Sequence, residues 1–313
     1  MSRLISLRVK IYAVLFCITF SMFLFTYSYT YRDPFSYFTK NRCACLTCMA
    51  ELEDDPWFAE RFNQSIHPLM TRESSVLSEE TFKWWQGLQH PQPLASYTNL
   101  IERLFQLIPN KVVYMDAGSD RCRTCSVVGN SGNLNGSGYG ELIDAAHFVI
   151  RINQGPTKGF EKDVGTRTTH RVLYPESAFN VDSDTWLVLI PFKNQDLQWI
   201  VHKMSKMSVK KAEQNKVLIY NPTFFKYVYY SWLEGHGGYP STGFLTLLMA
   251  IHICDEVNLF GFGANQYGNW YHYWDKKYMA GTARHAMVHD RDTEYNVTLL
   301  LAEKQAIQMF KGR

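Results

Sequence analysis

His272, His285 and His289 fall within 18 residues of each other, and Glu294 follows five residues after the last. Histidine titrates closest to neutral pH, so it is the side chain best suited to take a proton there. A carboxylate at that spacing is expected to orient the imidazole of His289. The surrounding stretches, "GNWYHYW" and "HAMVHDRDTEYN", read as loop, where a lone histidine is ordinarily a surface residue. Acid–base chemistry here needs a substrate site, and two other stretches offer one.

The first is "CRTCSVVGNSGNLNGSGYG", Cys122 to Gly140, with five glycines and three asparagines after a short apolar run. A glycine-rich turn from strand to helix lets backbone N–H groups approach an anion. It matches neither G-x-G-x-x-G nor G-x-x-x-x-G-K-[ST], and it lacks the G-x-S-x-G of a serine hydrolase. Asn130 and Asn153 each follow a predicted strand; an asparagine can donate to a phosphate or ribose and accept from a base, or simply form a turn. The second stretch is "GGYPSTGFLTLLMAIHICDEVNLFGFG". Ser241 or Thr242 caps a predicted helix, with Gly243 in its first turn, and such an N-terminus suits a carboxylate or phosphate. Asp-x-Asp pairs occur at Asp182–Asp184 and Asp290–Asp292, but neither ends a strand, so no required metal is expected.

These residues need a frame. From about residue 111 short apolar strands alternate with helices: strands in "SVVG", "HFVIRIN", "THRVLY", "TWLVLIPF", "KVLIY" and "EVNLFGFG", helices in "GELIDAA", "DLQWIVHKM", "PTFFKYVYYSWLEG" and "TGFLTLLMAIHICD". "EYNVTLLLAEKQAIQMF" is expected to be one closing helix, and residues 57–62 and 76–107 read as helical. That alternation predicts an α/β fold, a largely parallel sheet with helices on both faces and its ligand at the carboxyl ends of the strands. With 313 residues, 46% of them hydrophobic, the chain can fill one large domain.

Residues 11–31, "IYAVLFCITFSMFLFTYSYTY", carry no charge. At ~1.5 Å per residue such a run spans one bilayer core of ~30 Å. Arg3, Arg8 and Lys10 precede it, which predicts a cytosolic tail (1–10), an uncleaved signal anchor (11–31), a short stem (32–50) and a luminal domain (51–313). Without those three cations, 29 basic residues face 29 acidic ones, so no nucleic-acid partner is implied. Outside the apolar run six cysteines remain: Cys43, Cys45, Cys48, Cys122, Cys125 and Cys254. An even number fits disulfides in an oxidising lumen, with 15 pairings open; their uneven spacing argues against zinc. Asn63, Asn135 and Asn296 head glycan acceptor sequons, and a glycan on Asn135 would obstruct the glycine-rich loop.

Taken in order, these stretches resemble the four motifs of the animal sialyltransferases. The long motif is similar to "CRTCSVVGNSGNLNGSGYGELIDAAHFVIRINQGPTKGFEKDVGTRTTHRVLYPES" and the short motif to "YPSTGFLTLLMAIHICDEVNLFGFG". The third resembles Tyr271-His272-Tyr273-Trp274, and the very short one His289 with Glu294. The likeness covers about 80–313, and "GNWYHYW" with the ending "FKGR" places it nearest the α2,3 enzymes acting on Galβ1,3GalNAc, the core-1 O-glycan.

The resemblance implies a single Rossmann-like domain of the glycosyltransferase A-like kind and a Golgi type II membrane protein, from which stem cleavage would release a secreted form. It implies CMP-sialic acid as donor, galactose-terminated glycoprotein or glycolipid acceptors, and an inverting transfer without a metal. By it, His289 is the general base for the galactose 3-hydroxyl and His272 steadies the donor phosphate. Asn130, Asn153, Ser241, Thr242, Gly243, Gly261 and Trp270 contact the donor, and Tyr239 and Gln89 the acceptor. It pairs Cys125 with Cys254, Cys43 with Cys48 and Cys45 with Cys122, and glycans are expected on Asn63 and Asn296. Charge grows on the leaving phosphate while the base must be neutral, so a protonated His272 is expected beside a neutral His289. The connection "IVHKMSKMSVKKAEQN" is shorter than in the enzymes it most resembles. The rival readings are a different galactoside acceptor, a transferase using another nucleotide sugar, and a membrane-anchored glycan-binding module without catalysis.

Overall fold

A computed structural model of the chain describes residues 12, 15–23, 43–45, 48–88, 93–110, 114, 116, 118–205, 213–265, 267, 268, 271–275 and 288–313. The chain divides into two units, Met1–Arg42 and Cys43–Arg313. In the first, residues 15–23 are helical and expose apolar side chains such as Phe16 and Phe23. Among the described residues no helix is long and apolar enough to cross a membrane. The rest of the apolar run 11–31 lies outside them.

In the second unit seven strands form one sheet in the order β5-β4-β3-β2-β1-β6-β7. They are β1 (Thr124–Val128), β2 (Phe148–Ile152), β3 (His170–Leu173), β4 (Trp186–Leu189), β5 (Val217–Ile219), β6 (Glu256–Phe260) and β7 (Gln308–Phe310), and every pairing is parallel. A parallel sheet must be covered on both faces, which is why its strands are rich in buried β-branched residues and leucine. The helices that cover it are α1 (Pro56–Arg61), α2 (Glu79–Gly87), α3 (Leu94–Leu107), α4 (Gly140–Asp144), α5 (Glu161–Val164), α6 (Asn194–Ser205), α7 (Pro222–Tyr227), α8 (Thr242–Ile253) and α9 (Arg291–Glu303).

On one face Val127, Ile150, Val172, Val188 and Leu218 pack against α8. That helix is apolar nearly all round, and ten of its side chains are buried, as suits a helix held within a core. On the other face Leu173, Leu187, Leu189, Val217 and Ile219 meet α3 and α6 through Leu104, Leu197 and Ile200. Val128, Val149 and Phe260 meet α4 and α5 through Ile143 and Val164.

Two expected helices differ from the structure. The closing helix stops at Glu303; Gln305 turns with φ +61°, and Gln308–Phe310 runs on as the edge strand β7 beside β6. The apolar spacing of "AIQMF" serves that strand: Ala306 and Ile307 are buried and the Phe310 ring stacks on Phe260 at 4.5 Å. The stretch 76–107 is two helices, α2 and α3, and Pro93 caps the second. Proline lacks the N–H that a helix interior needs, so Pro93 stands at the start of the second helix and not within one longer run. After α7 the chain takes a π-helical turn, Val228–Trp232, and leaves it through Glu234 at φ +51°.

Cys43–Cys48, Cys45–Cys122 and Cys125–Cys254 are bonded. Cys43 and Cys48 are buried within the second unit, so its compact part begins ahead of residue 51. Asn63 and Asn296 are exposed and Asn135 is half-buried.

Candidate active site

β1 lies between β2 and β6, and the chain runs outward from it to either side, so the sheet has its switch point there. A cleft of about 610 Å³ opens where β1, β2 and β6 end, facing the N-termini of α8 and α9. This is where a doubly wound sheet offers a ligand site.

The cleft's shape follows from close backbone approach. Gly129 after β1 and Gly261 after β6 lie back to back, with Gly129 N–H donating to Phe260 O at 2.8 Å. A Cβ on Gly261 would sit 3.0 Å from Gly129 O, and its φ of +70° suits glycine alone. The segment 271–273 then docks on the glycine-rich loop. Gly132 N–H donates to Tyr271 O (2.7 Å), Tyr273 N–H to Asn130 O (3.0 Å), and Ser131 bridges His272. The Tyr271 ring fills the space that a Cβ on Gly132 would need. This docking brings His272, distant in sequence, to the rim beside Asn130.

His289 enters from the other side. Gly238 N–H donates to Val288 O at 2.7 Å, fastening residues 288–290 against 237–239. His289 Nδ1 then lies 2.7 Å from Tyr239 O. A carbonyl only accepts, so Nδ1 carries the hydrogen and neutral His289 presents a bare Nε2. Burial lowers the His289 pKa, the Tyr239 carbonyl opposes that, and the Arg291 guanidinium lowers it further. The net direction favours the neutral form of His289.

Glu294 does not orient this imidazole. Its carboxylate accepts from Ser241 N–H at 2.6 Å and Ser241 Oγ at 2.5 Å. Ser241 Oγ in turn caps α8 by accepting from Phe244 N–H at 3.2 Å. Residues five apart on the α9 N-terminal turn and the loop before it do not share a face, which is why the expected pairing with His289 fails. Burial pushes the Glu294 carboxyl up to about 7, against the lowering effect of Ser241.

In the unliganded chain the electrostatics of His272 run against protonation. Burial lowers its pKa, Asp275 opposes, and Arg291 lowers it again. Both histidines therefore shift the same way in the free chain, because both are half-buried and both feel Arg291. Trp274 stacks on His272 at 4.5 Å and holds the ring plane.

Asn130, Asn153, Ser241, Thr242, Gly243, Gly261 and Tyr239 all line this cleft with His272 and His289. Trp270, Gln89 and His285 lie outside the described residues. Asn153 sits at φ +50°, and its Oδ1 accepts from Ser177 Oγ at 2.9 Å, leaving the amide N–H donors for a ligand. Sequence reasoning missed Phe192, Lys193 and Arg291, which also line it. Lys193 is held by Glu176 (2.9 Å) and Asp196 (3.5 Å). Nothing in their local pattern sets them apart; only the Asp-x-Asp scan touched Arg291. Asp290, one half of that pair, caps α9 through Thr293 N–H at 3.0 Å. Among the described residues no three His, Cys, Asp or Glu side chains converge as metal ligands would.

A cleft that gathers two histidines, a helix N-terminus and a switch-point loop suits group transfer from a nucleotide donor, and comparison with known proteins agrees. A CMP-N-acetylneuraminate-beta-galactosamide-alpha-2,3-sialyltransferase 1 of Pan troglodytes is 45% identical over 282 residues, 87% of this chain and 83% of that protein. The corresponding sialyltransferase 2 of Mus musculus is 45% identical over 281 residues, 86% of this chain and 80% of its own. A crystal structure of a mammalian sialyltransferase superposes with a TM-score of 0.79 at 45% identity, covering 87% of this chain and 99% of that one. A second, in complex with Gal-beta-1-3GalNAc-ortho-nitrophenol, gives 0.77 at 44% identity, covering 87% and 100%. Residues 69–306 match glycosyltransferase family 29 (sialyltransferase), and the chain belongs to that family.

Proposed function

We propose that this chain transfers sialic acid from CMP-sialic acid to the galactose 3-hydroxyl of Galβ1,3GalNAc, with inversion and without a metal. The observation that carries the reading is His289 in the cleft, its Nδ1 occupied by Tyr239 O and its Nε2 open. The α2,3-sialyltransferase names of relatives at 44–45% identity, and the Gal-beta-1-3GalNAc compound in a neighbouring structure, support the linkage and acceptor.

In a single displacement Nε2 takes the proton of the galactose 3-hydroxyl. The oxygen bonds to the anomeric carbon as the bond to the phosphate oxygen breaks, and CMP leaves with the electron pair. Attack from the face opposite the leaving group inverts that carbon. Asn130, Asn153 and the Ser241–Gly243 turn hold the nucleotide, and the α8 N-terminus faces its negative charge. His272 begins with a lowered pKa. An anion beside an imidazole raises it, so donor binding favours uptake of a solvent proton by His272, which then steadies the phosphate charge. Tyr239, whose ring meets that of His289 at 5.0 Å, places the acceptor, with Gln89 as its partner.

The apolar run 11–31 would anchor the protein in the Golgi membrane as a single-pass type II protein. The stem 32–50 would carry residues 51–313 in the lumen, and its cleavage would release a secreted form. An oxidising lumen fits the three disulfides, and exposed Asn63 and Asn296 are open to glycans.

The test is transfer from labelled CMP-sialic acid by the full-length chain in detergent, with excess EDTA, to Galβ1,3GalNAc, Galβ1,4GlcNAc or no acceptor. Transfer to the first alone, in α2,3 linkage, is the expected result. Transfer to the second alone overturns the acceptor, loss with EDTA overturns metal independence, and no transfer by folded protein favours the glycan-binding module.

A further inference from the structure

Arg151 on β2 and Arg171 on β3 are register partners, so they share one face of the sheet, and both are buried, at 1% and 6% exposure. Arg151 is tethered away from the cleft. Its Nε and Nη2 donate to Arg167 O at 3.0 and 2.8 Å, and the Asp144 carboxylate lies 3.9 Å away. Arg171 has no carboxylate within 4 Å among the described residues. Its Nη1 instead donates to three successive carbonyls, Asn153 (3.2 Å), Gln154 (3.4 Å) and Gly155 (3.1 Å), while the guanidinium lies over the Phe179 ring at 5.3 Å. Burial, then Arg151, lowers its pKa to about 10, so it remains a cation at any luminal pH.

Those three carbonyls form the turn that follows β2, where Asn153 holds the left-handed backbone. A residue other than glycine stays in that region only when its surroundings hold it. Gly155 shows how near the second asparagine lies: a Cβ there would be 3.0 Å from Asn130 Oδ1 and 3.3 Å from Arg171 Nη1. Asn130 Oδ1 is itself buried without a protein partner among the described residues. Arg171 thus lies under the turn, beside both asparagines at the nucleotide end of the cleft.

We propose that Arg171 is a positioning residue for the donor, clamping the Asn153–Gly155 turn from beneath so that Asn130 and Asn153 are set before the nucleotide arrives. A turn ordered in advance removes an ordering cost from binding. The unpaired guanidinium beneath it also favours an anionic ligand above. The proposal rests on the reading of Asn130 and Asn153 as donor contacts.

The experiment uses the full-length chain in detergent, with CMP titrated calorimetrically and initial rates measured for both substrates. Arg171→Met should weaken CMP and raise the donor KM by about tenfold or more, with kcat and acceptor KM within about twofold, since uniform donor binding is what is lost. Arg171→Lys should recover to within about threefold, because one nitrogen serves all three carbonyls and an ammonium has three donors to offer. Wild-type CMP affinity in Arg171→Met overturns the proposal. So does a fall in kcat and acceptor affinity that tracks a lowered melting temperature and is not rescued by lysine. Should Arg171→Met not fold, Arg171→Gln, whose side chain is uncharged and too short to span the three carbonyls, must show the same donor-only loss. Asn153→Ala separates the levels: unchanged CMP affinity there sinks the donor reading and the proposal together. Weakened affinity there beside a normal Arg171→Met sinks the proposal alone.

Discussion

At the scale of single residues, motif order in the family resemblance singled out the two histidines that line the cleft, whereas their local context reads as ordinary surface loop. Their electrostatics were not legible in the sequence. Arg291 reaches both through the fold, two residues beyond His289 in sequence but across the cleft rim from His272, and it lowers both pKa values behind burial. His289→Ala should lower kcat by about 10²–10⁴-fold, the range of a general base, while CMP affinity stays near wild type. A calorimetric CMP titration beside initial rates checks both halves, and wild-type turnover would remove His289 from the base role. Arg291→Ala should move the acid limb of the kcat/KM profile to higher pH. The base works only when neutral, so activity falls as pH drops through the His289 pKa. Removing the guanidinium lifts that pKa toward the ordinary imidazole value, and the fall then begins at higher pH. An unmoved limb would show that Arg291 does not act on His289. Glu294 carries the opposite lesson: sequence spacing placed it beside His289, but only the folded chain could give its carboxyl to Ser241.

At the scale of elements, periodicity found β1 to β6 and the buried helix α8, since short β-branched runs and an apolar stretch without charge leave few alternatives. It failed at the carboxyl end, where "AIQMF" has a spacing that a helix or an edge strand could use and only the left-handed turn at Gln305 decides. The join between α8 and α9 was also out of its reach. Glu294 on α9 receives the N–H and hydroxyl of Ser241, the cap of α8, so one carboxyl ties the two helix ends that face the cleft. Its pKa rises from the ordinary 4.5 to about 7 in the folded chain. The folded state therefore binds this proton more tightly than the unfolded state. The stabilisation is full below the unfolded value and is lost as pH rises through about 7. Melting temperatures of Glu294→Gln measured across that window should change less with pH than those of the wild type. Glutamine stays neutral yet can still accept from Ser241 N–H, so the cap itself should survive. Parallel melting curves for the two proteins would mean that Glu294 is not the titrating group.

At the scale of the whole molecule, one bond joins the two stretches that line the cleft, at the end of the sheet away from it. Cys125 lies at the start of β1 and Cys254 just before β6, 129 residues apart in sequence, whereas Gly129 and Gly261 meet at the other end of the same strands. No arithmetic on cysteine counts selects this pair, because 15 pairings fit six cysteines equally. The topology does select it, by laying β1 beside β6 in register, with Cys125 opposite Val257. The bridge should then act on stability and not on the chemistry. A double Cys125→Ser, Cys254→Ser variant leaves neither partner as a lone thiol and should lose about 2–5 kcal/mol of unfolding free energy, read from denaturant curves. A loss that large would inactivate the protein at physiological temperature. In the cold, where the variant is still folded, donor and acceptor KM should match the wild type, because backbone hydrogen bonds such as Gly129 N–H to Phe260 O keep the strand ends together at the cleft. A fully folded variant with a raised donor KM would mean that the bridge transmits geometry along both strands to the site. A variant as stable as the wild type would mean that packing around α8 already fixes β1 against β6.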